Sequence, residues 1–256
     1  MERPFSLRPP LPVSFLLALS IIALAVPLLA LLGMEAARLT SSERARLSGD
    51  ARLTAERIAA DLDQTLNGYI AILQSLATTP ALREDDFATV YRQAEAALSS
   101  RGLYAFLRDK NGQQLFNTRV PFGSPLPVSG GFDDQVFTEK RPYVSDVVIG
   151  DVAKKAVMAV SVPVFRNEKL RYVLSLSLEP SLMKELLDRQ KIDPEWRATI
   201  ADRKSIVIAR TRLQEEFVGK PLKDAKNRDG EEQGKDLEGR DVKWGTAPSK
   251  VAGWMV

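Results

Sequence analysis

From Pro9 to Met34 the chain reads PPLPVSFLLALSIIALAVPLLALLGM, without one charged residue. At a helical rise of ~1.5 Å per residue, some twenty apolar residues cross a hydrocarbon core of roughly 30 Å. Pro27 is tolerable in such a helix as a kink. A cleaved signal peptide is the rival reading. Its apolar region runs about 7–15 residues and ends at a small-residue cleavage site. This run is longer, and the Gly-Met-Glu-Ala-Ala-Arg-Leu that closes it is a poor cleavage sequence. The expectation is an uncleaved anchor over residues 9–34. Arg3 and Arg8 lie before it, so residues 1–8 stay cytoplasmic and everything after about Glu35 lies outside.

Composition then removes most chemistry. The 256 residues contain neither cysteine nor histidine. That excludes Cys/His zinc sites, His-based triads, thiol nucleophiles and a phospho-accepting histidine within these residues. The net charge is +3, and basic and acidic residues are interspersed. No basic patch interleaved with aromatics argues for nucleic acid. No cofactor is expected.

Beyond the anchor, residues 35–79 read as one long helix. Ile58, Leu62, Leu66, Tyr69, Leu73 and Leu76 recur at helical spacing and form a single apolar stripe. Thr79-Pro80 ends it. The stripe predicts packing on a folded domain, and the lower helix is a candidate homodimer contact. A second helix is expected from Phe87 to Ser99, opened by Asp85-Asp86. Strand text follows in Gly102–Arg119, with a turn at Asp109–Gly112, and in Pro142–Ile149, Ala156–Phe165 and Leu170–Leu178. Ser181 is read as the cap of a helix reaching Gln190.

The text then repeats. FLRDKNGQQLFNTR from Phe106 aligns with TIADRKSIVIARTR from Thr199, and Phe122–Leu126 is echoed by Phe217–Leu222. Two related modules are therefore expected, at 80–190 and 191–256. Lys223–Arg240 reads as a solvated loop. The closing VKWGTAPSKVAGWMV reads as strand, turn and the start of another strand, as in the front piece of a longer protein.

Catalytic motifs fail on inspection. Ser181-Leu-Met-Lys184 matches Ser-x-x-Lys but lacks the Ser-Asp-Asn and Lys-Thr-Gly partners that chemistry needs. Asn227-Arg-Asp229-Gly230 has part of a calcium loop, with Ala225 at the first ligand position. Asp133 and Asp134 are adjacent, which suits a helix cap at Gln135 better than an acid/base pair.

The order of these parts resembles the double Cache, PAS-like extracytoplasmic sensor region of bacterial membrane sensor histidine kinases. The similarity lies in LRDKNGQQLFNTRVPFGSPLP, RPYVSDVVIG, AVSVPVFRNEKLRYVLSLSLEPSL, IADRKSIVIART, EEFVGKPL and SKVAGWMV. It implies an α+β fold: the anchor continues into a long helix packed on two tandem antiparallel sheets. The first module would be membrane-distal and the second membrane-proximal. It also implies the bacterial inner membrane, a periplasmic sensor and a kinase beyond these residues; these residues themselves are no enzyme. Chemoreceptors and diguanylate cyclases carry similar sensors, and a stand-alone anchored binding protein is a further alternative.

Within that fold the strand LRYVLSLSLEP sets the site. Tyr172, Leu174, Leu176 and Leu178 would face the long helix, leaving Ser175 and Ser177 on the opposite face. On the neighbouring strand Ala159 and Ser161 share that small face. Small hydroxyl-bearing positions leave room and polar contacts for a small molecule. Residues between Arg119 and Tyr143 would form a lid. Arg119 is the candidate grip for a carboxylate, Asn117 shares its parity, and Tyr143, Ser145 and Asp146 would line the rim. The tyrosine, arginine and Trp-Tyr pattern of some amino-acid-binding members is not visible in this chain. The expected partners are a small-molecule ligand, the membrane and a second copy of the chain.

Overall fold

The computed structural model describes residues 13–131, 134–222 and 233–256, with side chains at Met34 and from Arg46 onward except at Gln233. The expected cytoplasmic tail and anchor at 1–34 lie outside the described residues, apart from helical backbone from Val13 and the Met34 side chain. So do Asp133 and the Asn227–Gly230 segment. No helix among the described residues is long and apolar enough to cross a membrane. The chain forms two compact units, Met1–Asp50 and Ala51–Val256. The described part of the first, from Val13, is helical.

Helix α1, Val13–Ala77, carries the stripe read from the sequence. Ile58, Leu62, Leu66 and Leu73 are at most 1 % exposed, and Tyr69 and Leu76 pack at the edge of the same core. The helix stops where two threonines turn their hydroxyls onto the carbonyls of Ser75 and Leu76, immediately before Pro80. Helix α2 (Pro80–Arg83) and helix α3 (Phe87–Leu98) follow. The Asp86 side chain accepts from the Thr89 amide and caps α3. Asp85 instead ties the helices to the sheet. With φ of 60°, it turns its carboxylate to Arg166 and the Tyr172 hydroxyl.

Six strands make the main sheet: β1 (Tyr104–Asp109), β2 (Gln114–Asn117), β3 (Tyr143–Val144), β4 (Val148–Ile149), β5 (Ala156–Arg166) and β6 (Lys169–Leu178). Their order is β2-β1-β6-β5-β3, with β4 also on β5, and every pairing is antiparallel. The β5–β6 hairpin turns at Asn167-Glu168, both at positive φ, a tight-hairpin geometry that suits the strand twist. Register puts Leu107, Leu174 and Val162 side by side, with Ala105, Leu176 and Val160 in the next row. These residues are buried with the α1 stripe in one core. Burying this apolar face stabilises the fold, at roughly 25 cal/mol per Å² of surface removed from water.

After β6, helix α5 (Pro180–Arg189) begins at Pro180, with Glu179 as the N-cap residue. Ser181 is therefore inside the helix, a correction to its reading as the cap. Proline's fixed φ and missing N–H suit the first helical position.

The second strand–turn–strand is β7 (Thr199–Ala201) and β8 (Val207–Arg210). It repeats the first bond for bond. Thr118 donates its amide to the Ala105 carbonyl and accepts the Ala105 amide on Oγ1; Thr211 does both with Ala198. Asp109 Oδ1 accepts the amides of Asn111 and Gln113; Asp202 Oδ1 accepts those of Lys204 and Ile206. A register shift follows Leu107 in one and Ile200 in the other. Gly112 and Ser205 both take positive φ. Met255 pairs with Ala201 as Val173 pairs with Arg108.

Helix α6 (Gln214–Phe217) follows β8. The segment read as a solvated loop at 223–240 is corrected in its last part: β9 (Gln233–Lys235) pairs with β10 (Asp241–Lys243). Helix α1 holds this second element through Asp63, which accepts the amides of Lys250 and Val251 and the Ser249 hydroxyl.

Candidate functional site

The sheet's other face is built from the residues of opposite parity. Tyr104, Phe106 and Arg108 on β1 stand beside Ser177, Ser175 and Val173 on β6. Ala159 and Ser161 on β5 continue the rows, and Asn117 on β2 faces Phe106. Phe106, Val157, Ala159 and Val173 are buried without belonging to the core that α1 backs. In the chain between β2 and β3, Ser129 bonds Arg108 and Gln114, and helix α4 (Asp134–Glu139) packs on β5 and β6, with Val136 fully buried.

The serines lie where parity put them. Ser161 and Ser175 are fully buried and hydrogen-bond each other across the strands at 2.8 Å. Ser177 is near one end, 3.4 Å from Nη2 of Arg119. Arg119 is already engaged. It pairs with Glu179 at 3.0 Å and lies over the Tyr104 ring at 3.8 Å. Glu179 also holds Lys155 at 2.7 Å. Burial alone would raise the Glu179 carboxyl, but bonds from Lys155 and Arg119 outweigh it and hold it below its ordinary value. The expected carboxylate grip is thus occupied by the chain's own carboxylate.

Asn117 belongs to a buried polar chain that includes residues not anticipated from the sequence. Its Nδ2 donates to Gln114 Oε1 at 2.9 Å, and Gln114 Nε2 donates to Ser129 Oγ at 2.7 Å. Nη1 of Arg108, 1 % exposed, donates to the Ser129 carbonyl. Burial pulls the Arg108 guanidinium below its ordinary value, while Asp134, Asp109 and Asp151 push it back up. The signal for Arg108 in the sequence is its parity with Phe106, which the β1–β6 register turns into a face shared with Ser175.

The rim residues separate from the serines. Ser145 is buried structurally: its amide bonds the Ala159 carbonyl, and its hydroxyl takes the Ala159 amide at 2.9 Å. Tyr143 and Asp146 turn to the second strand–turn–strand. Arg203 donates to Asp146 at 2.9 Å, to the Tyr143 hydroxyl at 2.6 Å and to the Val144 and Ala252 carbonyls. Burial pushes the Tyr143 hydroxyl up, and Arg203 pulls the other way. Among the described residues no cluster of acidic side chains could hold a metal ion.

Solved structures with the same architecture exist. The ligand-binding domain of Pseudomonas fluorescens chemoreceptor CtaA, in complex with L-isoleucine, superposes with a TM-score of 0.66, over 84 % of this chain and 92 % of that one, at 14 % identity. The ligand-binding domain of the Pseudomonas aeruginosa PAO1 amino acid chemoreceptor PctB, in complex with L-Arg, gives 0.64 over 82 % and 92 %, also at 14 % identity. The extracellular domain of the candidate histidine kinase rpHK1S-Z16 gives 0.63 over 82 % and 92 %, at 11 % identity. The fold is Cache-like. No protein-family model and no curated protein matches the chain. At these identities the likeness is one of fold.

Proposed function

We propose that the chain is the extracytoplasmic sensing region of a bacterial membrane receptor, a double Cache sensor with its ligand on the lid-covered face of the first module. One observation carries this reading: buried hydroxyls and amides, Ser161, Ser175, Ser177, Asn117 and Gln114, lie between sheet and lid, on the face away from the helix-packed core. These groups bond one another across the face, and each retains donor or acceptor capacity that a polar ligand could share. The repeated strand–turn–strand supports the second module.

The ligand class that fits is a small organic molecule with several hydrogen-bonding groups. Amino acids are the first set to try, since CtaA and PctB hold them. The carboxylate of such a ligand would meet the Arg108–Ser129 end of the face more readily than Arg119, which Glu179 neutralises. Binding would favour one packing of sheet on α1 over another, and a receptor dimerised through α1 would pass that preference to its output. The output domain, beyond these residues, is a histidine kinase on this reading, with a chemoreceptor the alternative.

A thermal-shift screen of the chain against amino acids and small carboxylic acids tests the proposal. A hit should raise the melting temperature. Ser175→Leu, which fills the face, should abolish the rise while the protein still melts cooperatively. A hit that survives both Ser175→Leu and Arg108→Met would place the ligand elsewhere.

A further inference from the structure

The second strand–turn–strand has a buried cation in the place where the first has an amide. Arg210 occupies on β8 the position of Asn117 on β2, as the paired bonds of Thr211 and Thr118 require. Its side chain is 2 % exposed. Nη2 meets Glu238 at 3.0 Å, and the Phe217 ring lies 4.7 Å from the guanidinium carbon. Nε and Nη1 are buried and have no hydrogen-bond acceptor among the described residues. A buried N–H left unmet is costly, and an arriving acceptor would relieve that cost.

Among the described residues, the surroundings are short of negative charge. Glu238 stands in the turn between β9 and β10 and serves three guanidiniums. Arg210 and Arg197 share its Oε1, at 3.0 and 3.5 Å, and Arg240 holds its other oxygen. Asp236 answers only Arg240, at 3.1 Å. Among the described residues, three guanidiniums therefore face two carboxylates.

We infer that Arg210, with Arg197 beside it, forms an anion-binding site in the second module that accepts a small oxyanion, a carboxylate or a phosphate. Glu238 occupies part of the cation's bonding capacity and competes with the incoming anion. The arginine fork suits both oxyanions. The site is separate from the serine face of the first module and does not depend on what binds there.

The test is titration of the full chain, at constant ionic strength, with sodium phosphate, sulfate, acetate and malonate, read by calorimetry and melting temperature. At least one should bind and raise the melting temperature; the phosphate and sulfate arms against the acetate and malonate arms tell which oxyanion class is held. Arg210→Met should weaken that binding by about tenfold or more, since it removes a charge-assisted contact. Glu238→Gln keeps the side chain's shape and removes the competitor, so it should tighten binding. Ser175→Leu should leave it unchanged. A purely structural ion pair behaves otherwise: Glu238→Gln lowers stability and no anion restores it. That result, no binding to either wild type or Glu238→Gln, or binding that persists in Arg210→Met, overturns the inference. Should Arg210→Met fail to fold, the Glu238→Gln comparison decides alone.

Discussion

Gly245 shows how much one position can carry. A Cβ built there would lie 2.2 Å from the Arg52 amide nitrogen and 2.5 Å from the Ala51 carbonyl carbon, so the chain lies directly on the helix backbone. Gly245→Ala should destabilise by about 2–4 kcal/mol, because backbone cannot yield as a flexible side chain can; urea unfolding measures it. Glu179 makes a second residue-scale case, through pH. Its folded value lies below the ordinary one. Its contribution is therefore present above the unfolded carboxyl value and is lost as pH falls through the folded value. Glu179→Gln should remove that contribution, so the gap in melting temperature between wild type and variant should narrow as pH drops from neutral into the acid range. A gap that stays constant would show that the Arg119–Lys155 cluster does not use the charge.

At the scale of elements, periodicity was a good guide. The helical stripe Ile58–Leu76 faces the core as its spacing requires, and the alternation in Leu170–Leu178 put leucines and serines on opposite faces. Leu62→Ala should cost about 2–5 kcal/mol by leaving a cavity under the sheet. Leu53→Ala, on a side chain 59 % exposed, should change stability by no more than about 0.5 kcal/mol in the monomer. Denaturant midpoints compare the two. Ends of elements were less legible. The α5 cap moved from Ser181 to Glu179 because a proline at the first helical position outranks a hydroxyl just inside it. Strand β9 was read as loop because Gln-Gly-Lys sits in a charged, Gly-containing stretch without alternation, and only its partner β10 makes it half of a hairpin.

Across the whole unit Ala51–Val256, Arg203 is the joint. Its guanidinium binds Asp146, Tyr143 and Val144 next to the lid of the first sheet, and Ala252 in the second element. The Asp202 carboxylate takes the Val147 amide from the same turn. A double-mutant cycle of Arg203→Ala and Asp146→Ala should give a coupling of about 1–3 kcal/mol, against under ~1 kcal/mol for an exposed ion pair. Urea unfolding of the four proteins checks it. If the serine face senses a ligand, this joint is where a shift of β3 would reach the second element.

Read alone, the sequence determined the long helix with its buried stripe, the strands and their two faces, the repeat of a strand–turn–strand, and the absence of thiol and imidazole chemistry. Those features are local: they follow from spacing, turn chemistry and composition within a few residues. It did not determine which polar partner each arginine meets. Arg119 with Glu179, Arg108 with Ser129, Arg203 with Asp146 and Arg210 with Glu238 are all partners set by register and by how loops return across a sheet. Long side chains reach several ångströms in many directions, so their pairing is decided by the tertiary fold that fixes where each backbone stands.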